Sequence, residues 1–240
     1  MTAPLVVVTG TGTGIGKTHA AAALVLAWAR LLREAGVERP EVAGIKPVES
    51  GVTDGAPTDA ATLEQASTFH VKRFPPPYML ARAVSPHLAA AGEGRVIELH
   101  LIRAFVDEVR AAADAVVVEL PGGLFSPLAR GLDNADVARG LAPDALLLVV
   151  PDRLGVLHDV AAATRAARAS GVSVTGIVVV APEHADASTG TNAVELSVVC
   201  DVPVVAELPR ADVTTLSARD DLSSSLRELV RTRPTSPRRP

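Results

Sequence analysis

A glycine-rich junction between an apolar strand and an alanine-rich helix is the feature that most constrains this chain. The segment VVVTGTGTGIGKTHAAAA, residues 6–23, places four glycines and one lysine between a β-branched run and a helical run. Backbone N–H groups of such a loop can surround phosphate oxygens, and the following helix adds the positive end of its dipole. The sequence therefore predicts a phosphate-binding loop, in which Lys17 reaches the β- and γ-phosphates and the Thr18 hydroxyl holds Mg²⁺.

Two other interpretations of this junction fit its residues less well. The phosphate-loop spacing G-x-x-x-x-G-K-[ST] is met from Gly16 onward, although its first glycine, Gly10, stands one residue early. The dinucleotide fingerprint G-x-G-x-x-G does not fit, because the glycines recur at every second position. A glycine turn without a ligand is disfavoured, because a lysine at the start of a helix opposes the helix dipole and the chain contains only three lysines.

Strands and helices alternate along the chain, which favours parallel strands joined by right-handed crossovers. The predicted architecture is an α/β fold of P-loop NTPase type, with a doubly wound, mostly parallel sheet and helices on both faces. We expect residues 1–230 to form a single nucleotide-binding domain and residues 231–240, an Arg- and Pro-rich tail, to be disordered. The predicted strands are Leu5–Thr9, Glu41–Ile45, Ala115–Leu120, Ala145–Val150, Ser173–Val180 and Val204–Ala206. The predicted helices are Thr18–Ala35, Asp59–Ser67, Ser85–Ala91, Glu98–Ala113, Leu157–Ala169 and Ser217–Arg231.

Composition argues against several classes of function. The net charge of −4 gives no general attraction to nucleic acid or to an anionic membrane. No run of about 18 apolar residues predicts a transmembrane helix, and the start of the chain lacks the basic region of a signal peptide. A single cysteine, Cys200, suits a reducing compartment, and the histidines show no zinc-ligand spacing. We therefore expect a cytoplasmic protein without nucleic-acid or membrane partners.

Polar side chains follow the second and third predicted strands, where ligands bind in open α/β sheets. Lys46 and Ser50 follow the second strand, which we expect to lie near the first, and Glu119 ends the third. A buried carboxylate such as Glu119 needs a cation or a hydrogen-bond network, and it suits Mg²⁺. Asp59 is a further candidate ligand that could also cap its helix. The alternative for Lys46 and Ser50 is an exposed loop, with Lys46 in a surface ion pair such as one with Glu49.

Five segments of the chain, taken in order, resemble one enzyme family. The segments are VTGTGTGIGKT, KPVESG, SPHLAAAGEGRVI, VVVELPGGLFSPL and GVLHD, and together they resemble the dethiobiotin synthetases from about Val6 to Pro209. This resemblance implies an ATP-dependent cyclo-ligase that joins CO₂ to the two amines of 7,8-diaminopelargonate in biotin biosynthesis. The implied cofactors are ATP, or another nucleoside triphosphate, and Mg²⁺, and the implied assembly is a homodimer.

The resemblance also assigns roles to residues of this chain. It implies that Lys46 and Lys17 are catalytic, and that Thr18, Asp59 and Glu119 hold the metal. Nucleotide contacts are implied for Gly14, Ile15, Gly16, Lys17, Thr18, His19, Asp59, Glu119, Gly122, Pro209 and Arg210. Substrate contacts are implied for Thr13, Ser50, Gly155, Val156 and Leu157, the last three at a helix start that receives the substrate carboxylate held by the partner chain.

The chain departs from the family pattern at four places, one of which is His158 and Asp159 in place of Asn and His after the carboxylate-binding turn. Gly12 stands where many members carry Asp, and ELPGG replaces EGAGG, so that Pro121 removes one backbone donor. Val180 and Ala181 stand where the family usually has Asn and Asp, of which the Asn reads the adenine. The replacement of this Asn predicts weak discrimination between nucleotide bases.

Two other kinds of P-loop protein remain as alternatives at this stage. One is an amide-forming synthase of the cobyrinic-acid type, which shares the fold. The other is an ATPase switch of the partition or septum-positioning type. Such switches usually carry a second lysine in the loop, at the position that Gly12 occupies here.

Overall fold

The computed structural model describes residues 2–230, and its central element is a six-stranded parallel sheet. The predicted disordered tail, residues 231–240, lies outside the described residues. The strands are β1 Leu5–Gly10, β2 Val42–Ile45, β3 Val48–Ser50, β4 Tyr78–Leu80, β5 Ala115–Glu119, β6 Pro127–Ala129, β7 Leu132–Asp133, β8 Ala145–Pro151, β9 Gly176–Val180 and β10 Val204–Leu208. The helices are α1 Lys17–Glu34, α2 Asp59–Ala66, α3 Pro86–Gly92, α4 Leu99–Ala112, α5 Asn134–Leu141, α6 Val156–Ala169, α7 Asn192–Glu195, α8 Val213–Ser217 and α9 Asp220–Val230.

The central sheet has the strand order β10-β9-β8-β1-β5-β2, and all its pairings are parallel. Its strands are buried on both faces because alternate residues point into different cores. In β1, Val6 and Val8 pack in a core with α1 and α9, whereas Leu5 and Val7 pack in a core with α4 and α5. The predicted parallel sheet with helices on both faces is therefore confirmed.

The loops that carry the candidate site residues lie at the carboxyl ends of the parallel strands. β2 lies at the end of the sheet, and β5 separates it from β1. The loops that follow β1, β2 and β5 nevertheless meet, because all three strands end at the same side. Two small sheets support this edge: β3 pairs with β4, and β6 pairs with β7.

Several element boundaries differ from the sequence prediction. The last predicted helix, Ser217–Arg231, corresponds to α9, which begins at Asp220; Ser217 instead ends the separate helix α8, whose start Asp212 caps by accepting a hydrogen bond from the Thr215 N–H at 2.9 Å. The fifth predicted strand begins at Gly176 rather than at Ser173. Helix α5 was not predicted. Among residues 2–230, no helix is long and apolar enough to cross a membrane.

Candidate active site

A cleft of about 980 Å³ opens at the carboxyl edge of the sheet. The loops after β1, β3, β5, β9 and β10 contribute to its walls, as expected for ligand sites in open α/β folds. Most of the residues singled out from the sequence line it: Thr13, Gly14, Ile15, Gly16, Lys17, Thr18, His19, Lys46, Ser50, Asp59, Glu119, Gly122, Pro209 and Arg210. Gly155, Val156 and Leu157 do not line this cleft; they begin α6.

The glycine-rich loop wraps tightly at the start of α1. Gly14 and Gly16 have positive φ angles of 72° and 89°, a conformation that glycine adopts without strain. A Cβ at Gly16 would also lie 2.8 Å from the Val180 Cγ1, so the wall formed by the end of β9 closes directly on the loop. Lys17 is buried and its Nζ donates a hydrogen bond to the Gly12 carbonyl at 2.6 Å.

Lys46 lies at the centre of a charged cluster with the buried Glu119 and the half-exposed Asp59. Its Nζ donates to the Glu119 Oε1 at 2.7 Å and also to the Asp59 Oδ2. The Thr18 Oγ1 donates to the same Glu119 oxygen at 3.2 Å, which links the phosphate-loop helix to the cluster. Lys46 is 5% exposed and Glu119 1% exposed. The alternative of an exposed Lys46 in a surface ion pair is therefore wrong.

Burial and mutual charge set the protonation of this cluster. Burial raises the pKa of the Glu119 carboxyl, against the attraction of Lys46. Burial alone would lower the pKa of Lys46, but the negative charges of Glu119 and Asp59 outweigh it and raise that pKa. Burial opposes ionisation of Asp59 as well, yet Lys46 lowers the pKa of its carboxyl. Lys46 therefore remains a cation in a site where an isolated ammonium would tend to lose its proton.

The donor set around Glu119 fits a magnesium ion. The Glu119 Oε2 is buried and has no hydrogen-bond partner among the described residues, which is costly for a carboxylate oxygen unless a cation meets it. The Thr18 hydroxyl and the half-exposed Asp59 carboxylate supply the hard oxygen ligands that Mg²⁺ prefers. Within residues 2–230, no group of three or more His, Cys, Asp or Glu residues is arranged so that it could hold a metal ion. Two carboxylates are enough, because Mg²⁺ usually keeps waters and phosphate oxygens as its other ligands.

Lys17 has an environment unlike that of Lys46. Burial lowers the pKa of its ammonium from 10.5 to about 8; Glu119 raises it in part, and the nearby charge of Lys46 lowers it further. A polyanion bound in the loop would restore the charged form, because opposite charge favours the protonated lysine.

Sequence reasoning missed several residues that shape the cleft. Glu49 and Arg153 line it, as does Ser126, whose Oγ accepts a hydrogen bond from the Gly123 N–H at 2.8 Å. The buried Asn134 donates to the Gly123 carbonyl at 2.8 Å and to the Pro121 carbonyl at 2.5 Å. A side chain from α5 therefore fixes the ELPGG loop, which differs from the family pattern. A capping box at the start of α5, Asp133 to Asp136, is a signal that could have revealed this helix.

The sequence is similar to a known family model and to named proteins of other organisms. Residues 5–217 match a family model described as an AAA domain. The chain is 38% identical to the ATP-dependent dethiobiotin synthetase BioD of Rhodopirellula baltica, over 86% of this chain and 84% of that protein. It is 36% identical to the protein of the same name from Ralstonia nicotianae, over 91% of this chain and 96% of that protein.

Solved structures of other P-loop proteins share the fold. The MinC:MinD cell division protein complex of Aquifex aeolicus matches with a TM-score of 0.55 at 13% identity, covering 98% of this chain and 99% of that one. A ParA family ATPase from Chlorobium tepidum matches with a TM-score of 0.52 at 14% identity, covering 96% and 94%. Likeness at such low identity shows the fold alone and does not favour the switch-ATPase alternative. The relatives of much higher identity decide the matter, and by them the chain belongs to the family of ATP-dependent dethiobiotin synthetases, which are ligases.

Proposed function

We propose that this chain closes the ureido ring of dethiobiotin from 7,8-diaminopelargonate, CO₂ and ATP in a Mg²⁺-dependent reaction. The observation that carries the proposal is the meeting of Lys17, Thr18, Lys46, Asp59 and Glu119 at one end of the cleft. Phosphoryl transfer requires positioning of the reactants and stabilisation of charge. Two lysine ammonium groups and two carboxylates that can bind Mg²⁺ supply both. The amide-synthase alternative of the cobyrinic-acid type has no comparable support, because the relatives are synthetases of dethiobiotin.

The proposed reaction has three steps. One amine of the substrate adds to CO₂ and loses a proton to give a carbamate, a step that needs little beyond placement of the amine. The carbamate oxygen then attacks the γ-phosphorus of ATP, and ADP leaves. Finally the second amine attacks the carbonyl carbon of the mixed anhydride, a proton is lost, and phosphate is expelled as the ring closes.

Within this sequence the lysines have separate tasks. Lys17 contacts the β- and γ-phosphates, where charge builds as ADP leaves. Lys46, which donates to Glu119, contacts the carbamate and the transferring phosphoryl group. Thr18, Asp59 and Glu119 would hold the metal ion, which supplies neutralisation of the phosphate charge when bound. Thr13 and Ser50 contact the diamine.

A homodimer completes the proposed substrate site. Gly155 caps α6 with a φ of 91° and no side-chain cap. The Val156 N–H donates to the Arg153 carbonyl at 3.1 Å, so among the described residues the N–H groups of Leu157 and His158 remain to receive a carboxylate. Gly155, Val156 and Leu157 lie outside the cleft of their own chain. This placement supports the proposal that they bind the carboxylate of the substrate held by the partner chain. We place the enzyme in the cytoplasm.

Isotope transfer tests the proposed reaction. Protein is incubated with Mg·ATP, the diamine and ¹³C-bicarbonate, and the product is analysed by mass spectrometry. We expect one labelled carbon in dethiobiotin, in the ureido carbonyl. Release of ADP without a labelled ring product would contradict the proposal.

We expect alanine variants of the two carboxylates to raise the Mg²⁺ requirement. If Glu119 and Asp59 hold the metal, Glu119→Ala and Asp59→Ala should each increase the Mg²⁺ concentration that gives half-maximal rate, because a hard oxygen ligand is lost. The measurement is a Mg²⁺ titration of the steady-state rate at saturating nucleotide. An unchanged Mg²⁺ dependence in both variants would make them structural carboxylates.

Discrimination between nucleotide bases is expected to be weak. Val180 and Ala181 line the cleft and present no side-chain amide, and a site loses its large penalty against the wrong base when such a donor is missing. The kcat/KM values for ATP and CTP should agree within about tenfold, which is about 1.4 kcal/mol. Steady-state rates with both nucleotides test this, with Val180→Asn as the variant that adds an amide. A much larger preference for ATP in the unaltered protein would mean that backbone groups read the base.

Nucleotide affinity should fall as the pH rises above about 8. The pKa of Lys17 is lowered to about 8, so its ammonium loses its proton in the free protein above that pH and must regain it on binding phosphate. The dissociation constant should then rise by up to about tenfold per pH unit. Calorimetric titration with a non-hydrolysable ATP analogue measures the slope, and Lys17→Arg, which stays charged, should flatten it. If the affinity of the wild-type protein for the analogue does not depend on pH in this range, Lys17 is not the residue that binds the phosphates.

A further inference from the structure

Glu49 holds the beginning of helix α2 in place from a separate segment of the chain. It lies in β3, is 7% exposed, and lines the cleft. One carboxylate oxygen accepts a hydrogen bond from the Asp59 N–H at 2.7 Å, and the other accepts from the Ala60 N–H at 2.9 Å. The ion pairs that the described residues form with Lys46 involve Asp59 and Glu119, so Glu49 is bound to the helix start rather than to Lys46.

Two side chains cap α2, and each accepts hydrogen bonds from different N–H groups of its first turn. Thr58, the N-cap residue, accepts from the Ala61 N–H at 3.0 Å, whereas Glu49 takes the two N–H groups before it. A carboxylate at this end also interacts favourably with the helix dipole. Both caps therefore stabilise the same helix, but only the Glu49 cap holds the backbone of Asp59 directly.

The position of Asp59 matters to the site because its side chain completes the Lys46 cluster. Asp59 is the first residue of α2, and its carboxylate accepts from the Lys46 Nζ beside Glu119. Eight residues, 51–58, separate β3 from this helix start, so the covalent chain alone fixes Asp59 loosely. The bidentate Glu49 contact shortens that connection to a direct link between β3 and Asp59. Ser50, the neighbouring residue of β3, lines the same cleft.

We propose that Glu49 is a positioning residue that aims the Asp59 carboxylate at Lys46 and at the magnesium site. The inference rests on the proposed function only for the identity of the metal. A neutral amide at this position would keep the size of the side chain but could accept only one of the two N–H groups. Its NH₂ would face the other N–H, and the negative charge at the helix end would be lost. Loss of such an outer contact typically weakens metal affinity by about tenfold to about a hundredfold.

The test compares Glu49→Gln with Thr58→Ala, which removes the other cap of the same helix. Binding of a non-hydrolysable ATP analogue is titrated calorimetrically over a range of Mg²⁺ concentrations, and thermal unfolding is recorded for each variant. We expect Glu49→Gln to raise the Mg²⁺ concentration for half-maximal nucleotide binding at least about tenfold. Thr58→Ala should leave it within about twofold of wild type while lowering Tm by a few degrees, the ordinary effect of losing a helix cap.

Two outcomes would overturn the inference. One is a wild-type Mg²⁺ dependence in Glu49→Gln; the other is an equal rise in Thr58→Ala, which would show that any loosening of α2 has this effect. Asp59→Asn serves as the reference variant for direct loss of the metal contact. Because the titration involves no diamine and no turnover, its result is separate from the identity of the substrate, so failure of the proposed reaction would be seen only in the product assays.

Discussion

Lys17→Ala is expected to lower kcat by at least about 10²-fold, because it removes an ammonium from the place where charge develops on the β- and γ-phosphate oxygens. Lys17 is buried at the start of α1 and lies across the phosphate loop, within hydrogen-bond distance of the Gly12 carbonyl. The measurement is ADP release under saturating diamine, bicarbonate and ATP. Lys72→Ala is the matched control, because the Lys72 side chain is 82% exposed and pairs with Glu64 at 3.2 Å.

The control should retain a wild-type rate, since an exposed ion pair contributes little to either folding or catalysis. A Lys17→Ala variant that keeps most of its kcat would refute the phosphate-loop assignment. The thermal unfolding of both variants is compared with that of wild type, so that a loss of rate can be separated from a loss of fold.

Lys46→Gln is the second large effect, and it should reduce kcat by about 10²-fold while nucleotide affinity changes little. The side chain keeps roughly the length of lysine but loses the charge that meets the transferring phosphoryl group. Such a split between kcat and binding is the signature of an interaction made mainly in the transition state. The rate of ADP release gives kcat, and calorimetric titration with a non-hydrolysable ATP analogue gives the nucleotide affinity.

Stability must be measured beside these values, because Lys46 also compensates the buried Glu119. Removing one partner of a buried ion pair typically costs about 3–5 kcal/mol of folding free energy. The double variant Lys46→Gln with Glu119→Gln removes the buried charge as well, and it should regain stability without regaining kcat. A near-normal kcat in folded Lys46→Gln would leave this lysine outside the reaction.

Local sequence was enough to predict the phosphate loop and most of the cleft. The spacing around Lys17 carries its own geometry, because a glycine-rich turn before a helix can fold in few ways. Lys46 and Glu119 could be found because parallel strands end at one edge, whatever their order. The resemblance to a family then supplied roles for these residues that spacing alone could not.

Features that depend on tertiary contacts were not predictable. β5 lies between β1 and β2, and nothing in the local pattern of these apolar strands fixes that order. From the sequence, Glu49 is expected only as a surface partner for Lys46, since glutamate is mostly exposed in folded proteins. The structure buries it against the start of α2, ten positions further along the chain, and such a distant cap leaves no local signal.

Diamine-dependent hydrolysis of nucleotide is the most direct test of the central claim. The protein is mixed with Mg·ATP and bicarbonate, and nucleoside diphosphate is followed before and after addition of 7,8-diaminopelargonate. We expect little ADP without the diamine and rapid release of ADP with it, in step with dethiobiotin. Release of ADP at the same rate with and without the diamine would contradict the proposed reaction and indicate an ATPase whose substrate is not this amine.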